Sequence, residues 1–365
     1  MTTDTIGVPR AHRARAQAIA GVAIAGLLAA GLLWWAKWAP YSAKIDGLAQ
    51  TRQWGGHSTL SAAGINAGQD PSWDAAWSFT VDYGQAVWKA LLAALLVAAA
   101  LQSLVRRDWL VRFLSRRTPM TSAMAGGLAS MPSMMCTCCT APVAVSLRRC
   151  GAPTSAVLAY WMGNPLLNPA VLVFLALVAP WQWVATRLVV GAVLVVAGSA
   201  IAARWASNSR ANAPAAPNIP EAQPPVTFEL ADAPTRFAKA LARLALILIP
   251  EYFVVVMLIG AFGGWLFPLS NGSTNHLAAT GAAVILGTLL VIPTAGEIPL
   301  TQGLSAAGFG LGVVGALLIT LPAVSLPSMV MVGRALTWRV TVAIAMVVAV
   351  AVAGAVAGLA LTALS

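Results

Sequence analysis

The sequence predicts an all-α polytopic membrane protein, and three observations carry that prediction. Hydrophobic residues fill 59% of 365 positions and charged residues only 9%, against roughly 25% charged in a soluble domain. Apolar runs of about 20 residues, the length needed to cross a bilayer, recur along the chain. Between them Arg and Lys fall in short blocks, the pattern of loops held on the cytoplasmic side. The formal charge of +11 therefore reads as topology, not as a nucleic-acid-binding face.

The first span is expected near 18–36, behind the basic residues Arg10, His12, Arg13 and Arg15. It resembles a signal peptide in outline, but it ends in Trp34-Trp35-Ala36-Lys37-Trp38. That is an aromatic belt rather than the small-residue pattern of a cleavage site, so the span is expected to stay. Residues 37–80 are polar and Trp-rich and are expected to cap the membrane outside it. Clean apolar spans follow near 84–105, 153–179, 184–203, 244–267, 309–333 and 340–362. Two more, near 120–147 and 277–304, are interrupted. A Pro/Ala/Asn-rich stretch at 204–235 reads as a flexible linker between two halves. The expected organisation is 1–80 (basic segment, first helix, outer loop), 81–203 (first repeat), 204–235 (cytoplasmic linker) and 236–365 (second repeat).

The halves match each other. Setting Pro142 over Pro299 also superimposes Leu147 on Leu304, Gly151 on Gly308 and Pro165 on Pro322 without a gap. Charge then chooses the topology. Arg106, Arg107, Arg112, Arg116 and Arg117, then Arg148 and Arg149, then Arg204, Arg210, Arg236, Lys239 and Arg243 all fall inside only if 120–147 enters and returns as a re-entrant hairpin. The connections near 268–277 and 303–308 carry no Lys or Arg, as outer ends should, and Arg334 and Arg339 return inside. The expected fold is two inverted repeats, each of three crossings and a hairpin, plus the N-terminal helix, an architecture common among transporters. Nine full crossings is the alternative, and it would place the linker outside.

Three of the four cysteines, Cys136, Cys138 and Cys139, lie in one run between Pro132 and Pro142. Prolines break helices, so the run is expected on a loop, where two or three sulfurs can share a centre. Thiolates suit soft, thiophilic centres such as Cu(I), Zn, or trivalent arsenic and antimony. Zinc wants four ligands, and His12, His57 and His276 are not placed to complete a set here. Membrane cysteines also serve as plain apolar packing. Met131, Met134 and Met135 beside them suit thioether ligation or packing.

Asn164-Pro165 and Asn168-Pro169 break the following span, freeing carbonyls and amides that must face protein or water. Leu321-Pro322-Ala323-Val324-Ser325-Leu326-Pro327 repeats the break with Ser325. Glu297, in Pro293-Thr294-Ala295-Gly296-Glu297-Ile298-Pro299, stands where the first repeat has thiols. An acid at that depth suits proton coupling or cation attraction, unless it lies exposed at a watery tip. Glu251, after Pro250, is a second intramembrane acid. Asp82 and Lys89 share a helical face, and Lys89 can pair there or snorkel. No Gly-x-x-x-x-Gly-Lys-Ser/Thr loop and no Ser/His/Asp set is present, so neither a common ATPase nor a hydrolase is expected, and no cofactor is implied.

With these residues in view, the chain resembles the predicted-permease family that includes the YraQ-like proteins and the ArsP-type organoarsenical efflux permeases. The resemblance covers roughly 80–360. It rests on the basic stretch after Leu101, on Cys136-Thr137-Cys138 ahead of Pro142, and on Asn168-Pro169. In the second half it rests on Gly296-x-x-Pro299 and the Pro322 to Pro327 run. It implies a multi-helix bacterial inner-membrane permease whose Cys pair handles thiophilic trivalent arsenicals in ArsP-type members. The family usually has Gly after the second Cys, and Cys139 stands there in this chain.

The expected function is efflux of a thiophilic solute, an organoarsenical or a soft metal species. Substrate would sit on Cys136 and Cys138, with Cys139 as an optional third, and two sulfurs suit release better than a closed cage. Asn164, Asn168 and Ser325 would line the path, and Glu297 and Glu251 would serve coupling. The partners are that solute and the bilayer, with self-association open. A thiol–disulfide electron relay is the competing class, but it asks for a cysteine in each tip and the second tip has none. A permease for an unrelated solute, with structural cysteines, is the other alternative.

Overall fold

A computed structural model describes residues 8–54, 69–211, 230–266, 280–281, 284–285, 287–288, 291–306, 310–344 and 348. All of the regular structure among them is helical, as expected. Five helices are long and apolar enough to cross a membrane, Ala16–Thr51, Trp73–Leu104, Thr154–Val178, Trp181–Ser207 and Ala233–Phe262. A sixth candidate is the pair Leu311–Ala323 and Leu326–Leu336, bent by 48°.

Helix α1 (Val8–Leu33) does not stop at the aromatic belt. It passes through a π-turn, Trp34–Trp38, into α2 (Ala39–Thr51). The expected cap from residue 37 is thus helical as far as Thr51, and 55–68 lie outside the described residues. The wide turn closes just before Pro40, which lacks the N–H a regular ladder would need. Arg52, left-handed at φ 52°, ends the helix.

The second span, α3 (Trp73–Leu104), starts earlier than its apolar run because Ser72 caps it, accepting from Ala75 N–H. Alanines 90, 93, 94, 98 and 99 are buried along it, and small side chains let neighbouring helices approach closely. It packs against α1, the later α11 (Ala233–Leu266) and the later helix Thr137–Arg149.

A short amphipathic helix, α4 (Arg107–Leu114), leads to α5 (Pro119–Ser130) and α6 (Thr137–Arg149). At about 1.5 Å per residue each of these two limbs spans only about 20 Å, short of a hydrocarbon core of roughly 30 Å. The end of α6 comes back to the end of α3. Gln102 Nε2 donates to Ser146 Oγ at 2.6 Å, and the Arg107 guanidinium covers Gly151, whose φ is 91°. A Cβ at Gly151 would meet Arg107 Nε at 2.7 Å. On its other side α5 lies so close to the next helix that a Cβ on Gly126 would overlap the backbone of Ala156.

The broken spans are α7 (Thr154–Leu166) with α8 (Pro169–Val178), and α13 (Leu311–Ala323) with α14 (Leu326–Leu336). Between them run α9 (Trp181–Val193), a π-turn, α10 (Ser199–Ala211), α11 and α12 (Glu297–Ala306). The helices α7 and α13 have the same length of 13 residues. They begin at Thr154 and Leu311, in the register that sets Pro142 over Pro299. Asn168 and Ser325, the caps of α8 and α14, fall in the same register. Helix extends to Ala211 and resumes with the 3₁₀ turn at Leu230, inside the expected linker. Residues 212–229, most of 267–290 and most of the last span lie outside the described residues.

Candidate thiol site

The cysteine run is not a loop. Pro142 sits inside α6, and only Cys136 stands outside it, as the N-cap with φ −76° and ψ 167°. An interior proline forfeits one backbone hydrogen bond and strains the helix, yet α6 runs on through Pro142 to Arg149, so the expected break is not there. Convergence comes from the cap itself. The extended backbone at Cys136 swings its side chain over the first turn, where Cys138 and Cys139 lie. Cys136 Sγ is 3.0 Å from Cys138 Sγ and 3.1 Å from Cys139 Sγ. All three sulfurs lie within 4.8 Å of one another and all three residues are buried. No His, Asp or Glu joins this group among the described residues; His57 and His276 lie outside them.

Two phenols face the cluster. Tyr83 of α3 places its hydroxyl 3.3 Å from Cys138 Sγ, and Tyr252 of α11 donates to the same sulfur at 3.8 Å. Behind it, Met134 adopts φ 49°. Asn164 Oδ1 accepts from Met135 N–H at 3.2 Å, while its amide donates to Tyr160 O. Trp161 Nε1 donates to Thr137 O. Asn164 thus holds the turn that presents the thiols.

Asn168 serves differently. Its Oδ1 caps α8, accepting from Ala170 and Val171 N–H, and its Nδ2 is buried without a hydrogen-bond partner. Ser325 caps α14 with Ser328 and meets Thr137 Oγ1 at 3.1 Å, tying the second half to the thiol tip.

In the second half, a turn leads into α12, which begins at Glu297. Ala295 has φ 71°, two residues before α12, and non-glycine residues in that region mark constrained sites. Glu297 is buried, not exposed at a watery end, and its Oε1 lies 2.6 Å from Arg187 Nη1. Arg187 is buried too, donating to Pro165 O at 2.8 Å and Leu166 O at 3.3 Å. It therefore satisfies carbonyls freed by the break in the third span. Glu251 is further off in kind: it pairs with the exposed Arg334 at 3.4 Å. Lys89 is exposed over Trp35 and Trp88, 5.7 Å from each ring, and makes no ion pair with Asp82.

Sequence reasoning missed Tyr83 and Tyr252, and it missed two buried cations. Arg187 is one, a lone cation in an apolar span, which by itself flags function or pairing. The other is Lys37, whose Nζ is buried and donates to Tyr41 OH at 3.0 Å and Thr294 Oγ1 at 3.2 Å. The π-turn rotates it inward, and such turns recur at functional sites. Cys136, Thr137, Thr294, Glu297 and Ser325 line one small cavity of about 10 Å³, room for roughly one water.

The chain's relatives agree with a transport reading. The profile of a family described as a predicted permease, ArsP_1, matches residues 72–362. The chain is similar to the UPF0718 protein YraQ of Escherichia coli (strain K12), 40% identical over 308 residues, 83% of this chain and 84% of that protein. No solved structure matches.

Proposed function

This chain belongs to that predicted-permease family, and on that premise we propose that it is a permease for a thiophilic solute, a trivalent organoarsenical or a soft metal species, working as an efflux system. A bacterial inner-membrane, multi-pass location follows from the family and the apolar helices. The observation that carries the substrate reading is the meeting of three buried sulfurs beside a cavity shared with the second tip.

In this reading the solute exchanges its ligands onto Cys136 and Cys138, with Cys139 available as a third. Asn164 keeps the thiol turn in place, and Asn168 and Ser325 set the ends of the half-helices that flank the path. Glu297 couples proton movement to transport: protonating it removes the charge that holds Arg187, which frees the second tip to move. Glu251 serves as a second coupling acid, held through Arg334. The tips belong to two inverted repeats with re-entrant hairpins. That topology is supported by the short limbs α5 and α6, the return of Ser146 to Gln102, and the shared register of α7–α8 and α13–α14.

The test is growth of a strain lacking the gene on a panel of arsenicals, antimonite, copper and mercury salts, rescued by the wild type and by the Cys136, Cys138 and Cys139 triple Ser variant. Rescue by the wild type alone is expected for at least one toxicant. Equal growth of all strains on every compound would sink the efflux reading, and equal rescue by the triple variant would reduce the cysteines to packing.

A further inference from the structure

The permease reading leaves the charge and coordination number of the bound species open, and the surroundings of the cluster bear on both. Sulfurs 3.0 and 3.1 Å from Cys136, all within 4.8 Å of one another, are corners of a triangle small enough for one central atom. Bonds of about 2.3 Å, the length zinc makes to sulfur, reach all three corners together. Among the described residues no His, Asp or Glu supplies a fourth ligand, and Tyr83 and Tyr252 reach Cys138 only as hydrogen-bonding groups. A tetrahedral ion fits poorly there; a three-coordinate soft centre fits well.

Lys37 speaks to charge. It is 8% exposed, and its two bonded neighbours, Tyr41 and Thr294, are neutral. No carboxylate lies within ion-pair distance of it among the described residues, since Glu297 is taken by Arg187 and Glu251 by Arg334. Thr294, which accepts from Lys37 Nζ, lines the same cavity as Cys136. An uncompensated buried ammonium is costly. A trithiolate of a trivalent centre is neutral and leaves that cost in place. A trithiolate of a divalent centre carries one negative charge and removes it.

We infer that the cluster takes a divalent, three-coordinate soft ion as an anionic trithiolate with Lys37 as its counter-ion. The inference rests on the permease reading above and narrows its substrate class. Starting from three neutral thiols, three S–H bonds break, three metal–sulfur bonds form and three protons leave to water. No atom changes oxidation state. The hydroxyls of Tyr83 and Tyr252 bond to Cys138 and weaken its donation, which keeps the ion exchangeable.

Lead(II) and arsenite make the cleanest pair of probes, because both take three thiolates in a pyramidal arrangement and their adducts differ by one charge. Full-length protein in lipid nanodiscs is titrated with each, followed by sulfur-to-metal charge-transfer absorption, with X-ray absorption counting sulfurs. One lead ion per chain on three sulfurs is expected, falling to two sulfurs in Cys139→Ser. Lys37→Met should lose on the order of tenfold or more in lead affinity, as expected when one nearby charge is removed. Arsenite affinity should stay level or rise, which also reports that the variant is folded, and Lys37→Arg should keep lead binding. Equal effects of Lys37→Met on both probes, no effect on lead, or two sulfurs around lead in the wild type would each overturn the inference. So would binding of phenylarsine oxide, a two-thiol probe, without binding of lead, and the permease reading would survive that result. If none of the three probes binds the cysteines, both readings fall together.

Discussion

Arg187 Nη1 stands 2.6 Å from Glu297 Oε1, with side chains 0% and 3% exposed. The pair joins the span that follows the first Asn-Pro break to the start of α12, and Arg187 also holds Pro165 O and Leu166 O. Removing one partner leaves the other charge buried and alone, a loss of about 3–5 kcal/mol. Arg187→Met and Glu297→Gln should each lower the thermal unfolding midpoint in detergent sharply. The double variant Arg187→Met, Glu297→Gln should be more stable than the sum of the two losses predicts. Strict additivity would mean that the two charges act independently, against the geometry.

The turn that carries the thiols depends on Asn164, whose Oδ1 takes the Met135 N–H at 3.2 Å. Asn164→Ala leaves that buried donor unsatisfied, at about 1–3 kcal/mol. The thiol triangle should loosen with it, so phenylarsine oxide should bind several-fold more weakly while the total thiol count in denaturant stays the same. Unchanged affinity would show that the turn is held by its own backbone.

How much of this is legible in the sequence depends on the range of the rule that applies. The existence of the spans follows from apolar runs, though not their ends, since the first helix continues to Thr51 and the second begins at Trp73. The break at Asn168 follows from proline next to a good capping residue, so it is visible locally. Cys136, Cys138 and Cys139 are visible as a run, but their convergence depends on the cap geometry of Cys136, and Pro142 proves compatible with the helix. Lys37 hides because Trp34-Trp35-Ala36-Lys37-Trp38 also fits an interfacial belt. Only the π-turn and Thr294, 257 positions away, draw it inward. Arg187 hides because its partners, Glu297 and the carbonyls of Pro165 and Leu166, come from other elements. Glu297 itself is legible as an anomaly, and its partner is not.

Cys150 offers a pH-dependent control at the basic end of α6. Burial favours its neutral thiol and pushes it up to about 11, although Arg107 and Arg149 pull the other way. Only the thiolate is nucleophilic, so below that value the reactive fraction should rise tenfold with each pH unit. In the triple variant with Ser at positions 136, 138 and 139, alkylation of Cys150 should be slow at pH 7.5 and climb steadily toward pH 11. A plateau near pH 8.5 would indicate an ordinary exposed thiol and a looser seat beside Arg107.

The hairpin topology can be decided at the linker. If α5 and α6 enter and return, Arg148, Arg149 and the segment after α10 share the cytoplasmic side with Arg106 and Arg107. If the pair crosses instead, the linker lies outside. The contacts favour return, because Ser146 meets Gln102 and Gly151 meets Arg107 at the end of α3. A single cysteine at Ser209, in a background lacking the four native ones, should resist a membrane-impermeant maleimide in intact spheroplasts and react after permeabilisation. A second single cysteine at Gln53, beyond α2 on the opposite side in this topology, should react in intact spheroplasts. Labelling of both positions from outside would require a full crossing by α5 and α6, and would place the thiols along a continuous span instead of at a tip.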